Sequence, residues 1–113
     1  MTKYKFIEIP ELIDYIFEHQ DHEVGFTGDV LEDIEMYGEP TGWNGVKIDT
    51  SFDGLSLMVG YYGNGITQSW NLDDFDGDKK REVERLFTNW FRDWFFHIGP
   101  ICVDAKDLKG DAL

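Results

Sequence analysis

Between Lys79 and Ile98 the apolar residues recur in steps of three and four: Val83, Leu86, Phe87, Trp90, Phe91, Trp94, Phe95 and Ile98. That spacing predicts an amphipathic helix with one buried face. Five of these positions are Phe or Trp. A helix so aromatic on one side must lie on an equally apolar surface, which makes it a core helix rather than a cofactor-binding stripe. The preceding DDFDGD run (Asp73 to Asp78) places carboxylates where they cap the helix and complement its dipole. Gly99-Pro100 stops it.

From Gly45 to Leu72 the period changes to two. Asp53-Gly54 predicts a tight hairpin turn that puts Phe52 and Leu55 on one face, and Gly63-Asn64-Gly65 predicts a second turn. One face then carries Val46, Ile48, Thr50, Phe52, Leu55, Leu57, Val59, Tyr61, Ile66, Gln68, Trp70 and Leu72. The other carries Lys47, Asp49, Ser51, Ser56, Met58, Gly60, Tyr62, Thr67, Ser69 and Asn71. A nearly apolar face behind a mostly polar one predicts a three-stranded antiparallel sheet, covered on one side and wet on the other.

Upstream, Pro10 followed by Leu12, Ile13, Ile16 and Phe17 predicts a helix over about 10–20. Residues 3–8 read as a short edge strand or an extended arm. Residues 21–44 are punctuated by glycines. Here Asp29 can cap a short helix with Val30, Leu31, Ile34 and Tyr37 on one apolar side, and a strand at 23–27 is an alternative. Residues 101–103 read as a short strand or a packed strap, and 104–113 as a frayed tail. The fold class expected is α+β: a three-stranded antiparallel sheet with helices on one face, in a single compact domain over 1–113.

Length and composition support a folded chain. The 113 residues are 42% hydrophobic and 16% aromatic, as in a globular protein rather than a disordered one. The lone Cys102 forms no internal disulfide, which suits a reducing compartment. No leader-like region and no run of ~20 apolar residues is present, so a soluble cytoplasmic protein with no membrane partner is expected.

Motifs for chemistry are weak. Read as a calcium loop from Asp74, DDFDGD has Lys79 where glycine belongs and Arg85 where glutamate belongs. His19 and His22 are three apart but have no third His or Cys nearby. Asp49 with Asp53, or Glu82 with His97, lack a visible cleft. Cys102 lies between Ile101 and Val103 and reads as a packed thiol. The expectation is a non-enzymatic protein without cofactor or metal. A small metal-dependent or hydrolytic enzyme is an alternative.

Charge is the sharper signal. The net charge is −13, which disfavours direct contact with nucleic acid and favours a basic protein partner. From Glu8 to Glu39 there are eleven acids and no Lys or Arg. Residues 1–78 carry 17 acids and 3 bases; 79–113 carry 6 acids and 7 bases. Glu11, Asp14 and Glu18 repeat every ~5 Å along a helix, loosely matching the ~3.4 Å phosphate spacing of one DNA strand. The candidate partner-binding residues are Glu11, Asp14, Glu18, Asp29, Glu32, Asp33, Glu35, Glu39, Asp73, Asp74 and Asp76. A plain solvated face is the alternative.

The order helix, three strands, C-terminal helix in a small acidic chain resembles the phage-encoded anti-CRISPR inhibitors of Cas9, over about 10–98. It shares its acidic smallness with anti-restriction DNA mimics and with immunity proteins of nuclease toxins. The resemblance is one of build and carries no residue across. It implies an inhibitor of a bacterial defence nuclease that occupies a nucleic-acid site, with a toxin-neutralising immunity protein as the alternative.

Overall fold

The computed structural model describes residues 4–51, 54–61, 65–96 and 99–108. The elements run β1 (Tyr4–Ile7), α1 (Ile9–Glu18), β2 (Val24–Thr27), α2 (Val30–Tyr37), β3 (Asn44–Ser51), β4 (Gly54–Tyr61), β5 (Gly65–Asn71), α3 (Lys79–Phe95) and β6 (Ile101–Asp104). Short 3₁₀ turns follow β5 (Leu72–Asp74) and β6 (Ala105–Leu108).

The α+β class holds, but the sheet has six strands, not three. Its order is β1-β6-β2-β3-β4-β5, and every neighbouring pair is antiparallel. The three additional strands are four residues each. So short a run carries little periodic signal, and β6 joins β1 and β2 from the far end of the chain. Their pairing is therefore a long-range event invisible to local pattern. β1 does lie at an edge of the sheet, and the strand at 23–27 forms together with the short helix after Asp29.

Across the first hairpin Thr50 opposes Leu55 and Ser51 opposes Gly54. The connection is thus Phe52-Asp53 rather than Asp53-Gly54, and its own geometry lies outside the described residues, as does that of the turn at 62–64. The register is displaced by two. An even displacement keeps every side chain on its face, because side chains alternate with period two. Val46, Ile48, Leu57 and Val59 are accordingly buried, while Ser69 and Asn71 are exposed. A bulge after Val59 aligns Gly60 with Ile66, so the strict alternation expected through β5 is broken there.

α1 and α3 pack on one another and share a core with this sheet. Phe26 of β2, fully buried, is where the aromatic face of α3 lands. Its ring centroid lies 5.4 Å from that of Phe87, 6.1 Å from Trp90, 6.2 Å from Phe91 and 6.3 Å from Phe95. Gly28 follows two residues later, and a Cβ there would stand 2.5 Å from the Phe95 ring. The chain just after β2 is therefore glycine where the Phe95 ring of α3 comes close.

α3 starts as its sequence predicts. The Asp78 carboxylate accepts from the Arg81 N–H at 3.2 Å, which satisfies a first-turn donor. It stops earlier than expected, at Phe95, with Phe96 in the left-handed region at φ 58° and its N–H donating to the Arg92 carbonyl. Ile98 lies outside the described residues. Trp94, placed on the apolar stripe by spacing, is 40% exposed. The tail does not fray from 104 onward: Ala105–Leu108 form a turn, and Leu108 is buried in the core. Residues 109–113 lie outside the described ones.

Candidate functional site

Of the eleven acids between Glu8 and Glu39, ten are exposed and Asp33 is half-buried. The three on α1 lie on its outer face, as their spacing predicts. Two of them meet bases brought in from elsewhere in the chain. Glu11 pairs with Lys5 of β1 at 3.5 Å, and Asp14 with Lys80 of α3 at 2.5 Å. The Asp14 contact, first by its hydrogen bond, raises the Lys80 ammonium above its usual range. Charge polarised along the sequence is thus partly mixed by folding. The α1 ladder is the more neutralised part of the acidic run.

Other predicted acids have jobs inside the molecule. Asp33 accepts from the Thr41 N–H at 3.1 Å, tying the chain after α2 back onto the helix. Asp73 accepts from the Leu55 N–H at 2.8 Å and lies 3.9 Å from the Lys79 ammonium. It fastens the turn after β5 to the start of β4. Asp74 and Asp76 are exposed beside it. Asp21, outside the predicted set, sits at φ 69°. Its carboxylate accepts from the N–H and the hydroxyl of Thr50, and those bonds, the hydroxyl's first, lower its pKa.

α2 is different. Among the described residues no Lys or Arg forms an ion pair with Glu32, Glu35 or Glu39. The helix also departs from the expected apolar packing. Val30 alone of its residues is buried. Leu31 is 77% exposed and Ile34 41%, with Met36 and Tyr37 open as well. Spacing grouped Val30, Leu31, Ile34 and Tyr37 on one side, but Val30 is buried and the other three are exposed. An apolar row on eight residues looks the same whether a core or a partner covers it.

At its first turn α2 meets the chain that follows α3. Gly28 to Glu32, Gly99 and Pro100 line a cleft of about 320 Å³. Phe96 precedes that corner and is 87% exposed. Among the described residues the exposed large apolar side chains thus lie on α2 and at the end of α3, apart from Phe6 on β1. The aromatic signal at Phe96 was present in the sequence as a sixth ring beyond the regular stripe.

The candidates for chemistry stay scattered. His19 stacks on Tyr15, centroids 4.1 Å apart, and its centroid is 6.5 Å from that of His22. These rings form an aromatic group at the end of α1. Among the described residues no three His, Cys, Asp or Glu side chains converge as metal ligands. Among the described residues no helix is long and apolar enough to cross a membrane. Phe52, Asp53 and His97, members of the acid–base pairs or turns considered above, lie outside the described residues.

Cys102 is fully buried, and burial followed by the nearby Asp104 charge pushes its thiol up to about 11. The thiol is raised above its unfolded value, so its stabilising contribution is complete below pH ~9 and is lost as pH rises toward ~11. Cys102 in the native protein is therefore expected to resist alkylation at pH 8 and to react fully once denatured. Mass spectrometry after iodoacetamide treatment checks this; rapid labelling of native protein would contradict it.

Compared with known protein families, with curated proteins and with solved structures, this chain matches none.

Proposed function

We propose that this chain is a non-enzymatic acidic binding protein that blocks a basic, nucleic-acid-handling protein, as a phage-type inhibitor of a bacterial defence nuclease does. The observation that carries the reading is the acidic run from Glu8 to Glu39, ten of whose eleven carboxylates face solvent. A surface of that sign attracts Lys- and Arg-lined grooves built for phosphate backbones and repels nucleic acid itself. Long-range attraction of this kind acts mainly on the association rate. The acids on α2 and just after it contribute most, since no base among the described residues pairs with Glu32, Glu35 or Glu39.

The experiment is a pull-down with the purified protein from bacterial lysate at low and high salt, with and without added DNA, read by mass spectrometry. Captured proteins should be basic nucleic-acid-binding enzymes. They should be lost as salt shortens screening to ~8 Å or less and be displaced by DNA. For the strongest of them, Glu32→Gln with Glu35→Gln should slow association several-fold with folding intact. Asp33 is left in place because of its bond to Thr41. A complex indifferent to salt and to DNA would leave the acids as a solvated face only.

A further inference from the structure

We infer that the outer face of α2, together with Phe96 at the end of α3, is the docking surface. Its occupant is a basic protein segment that inserts an apolar side chain beside the Gly28–Glu32 and Gly99-Pro100 cleft. This deepens, and rests on, the acidic-binder reading above.

Three observations bear on this place, where Phe96 stands in the chain between Phe95, whose ring a Cβ on Gly28 would meet, and Gly99 of the cleft. The first is exposure: Leu31 and Phe96 are 77% and 87% open to solvent, while Phe87, Trp90 and Phe91 of the same α3 are buried. Clustered exposed apolar groups with a polar rim mark interaction sites. The second is strain. Phe96 is a bulky residue held at φ 58°, ψ 25°, where side chains other than glycine are disfavoured. Helices often end in this conformation, but glycine usually occupies it. An aromatic ring there is costly, and such outliers gather at functional sites. The third is charge. Glu32 and Glu35 stand within one turn of Leu31 and Ile34 on the same helix, without an ion-pair partner among the described residues.

Together these choose the occupant. A second copy would set the same patch against itself across a two-fold axis. That would bring Glu32, Glu35 and Glu39 toward their own copies, in a molecule already at −13. An anionic lipid surface is repelled for the same reason. A basic segment with an apolar anchor satisfies both the rings and the carboxylates. Apolar contact then sets how long the complex lives, and the acids set how fast it forms.

The test uses two helical peptides of equal length and charge, one patterned with Leu and Lys and one with Ser and Lys, titrated calorimetrically into the intact protein. The Leu–Lys peptide should bind about tenfold tighter or more. Leu31→Ser and Phe96→Gly should each abolish most of that advantage. Phe6→Ser, on edge strand β1, should leave it unchanged. Phe96→Gly removes the backbone strain, so its melting temperature should hold or rise even as binding falls, which separates a binding role from a structural one. Equal binding of the two peptides, or wild-type affinity in Leu31→Ser and Phe96→Gly, overturns the docking surface while leaving the charge-driven reading intact. Failure of both peptides to bind at low salt overturns both. Self-association in the ultracentrifuge that Leu31→Ser abolishes would assign the face to a second copy, and the proposal would fall.

Discussion

Phe26→Ala is expected to remove about 3–5 kcal/mol of folding free energy, the range for deleting a buried aromatic ring. A domain of ordinary stability has only ~5–15 kcal/mol in total, so much of the variant should be unfolded at modest urea. The reason is position. Phe26 is fully buried and contacts four rings on three turns of α3. Those rings belong to one helix pinned between strand and neighbours, and they cannot collapse into the void together. Phe91→Ala, on the facing side, should cost a similar amount. The two losses should be less than additive, because the residues share one cavity. Urea denaturation of the two single variants and the double variant measures this. A wild-type midpoint in Phe26→Ala would show that α3 is not seated on β2.

Gly54→Val should also cost several kcal/mol, through two effects that act together. Gly54 has φ 118°, a backbone region that a β-branched residue does not occupy without strain of ~1–3 kcal/mol. A Cβ there would also fall 1.8 Å from the Asp73 Oδ2. The carboxylate must move, and with it goes the Leu55 N–H bond, a charge-assisted contact of ~1.5–3 kcal/mol. Asp73→Ala alone should lose that bond and the exposed ion pair with Lys79, which is worth little. In the double variant the clash is absent, so the Gly54 substitution should be milder in an Asp73→Ala background than in wild type. Thermal melts of the four-member cycle check it. Strict additivity would place the cost in backbone conformation alone.

These two positions differ in how far the chain announced them. Gly54 followed from a local rule: Asp-Gly after an alternating run marks a hairpin. The rule was right about the turn region and the positive φ, and two residues off in register. Pairing across β3 and β4 is set by how the buried faces match as well as by the turn. Phe26 was one apolar residue in a glycine-rich stretch. Nothing local marks it as the seat of α3, because its four aromatic partners lie more than sixty positions away.

The acidic surface divides in the same way. Exposure of the carboxylates was legible, since helical spacing places Glu11, Asp14 and Glu18 on the side away from Ile13 and Ile16. Their neutralisation was not, since Lys5 and Lys80 arrive from β1 and α3. Asp33 read as a surface charge and Asp73 as a helix-capping or partner-binding one; their carboxylates instead accept from the backbone N–H groups of Thr41 and Leu55. Leu31 and Ile34 read as one side of a packed helix and turn out to face solvent.

Local pattern and composition are enough to specify α1, α3, the two faces of β3 and β4, the cap at Asp78 and the total charge. Each of these depends on neighbours within a turn or on the alternation of a strand, and such forces act whatever the rest of the molecule does. The sheet's width, the seat of α3 on Phe26, the pairing of α1's acids and the bare face of α2 arise from contacts between distant segments. Those are settled by packing volume and by which strand edges remain open once the core has closed. A four-residue strand such as β6 has no local preference strong enough to declare itself. It becomes a strand because β1 and β2 leave backbone donors and acceptors on either side of it, and burying them unpaired would be costly.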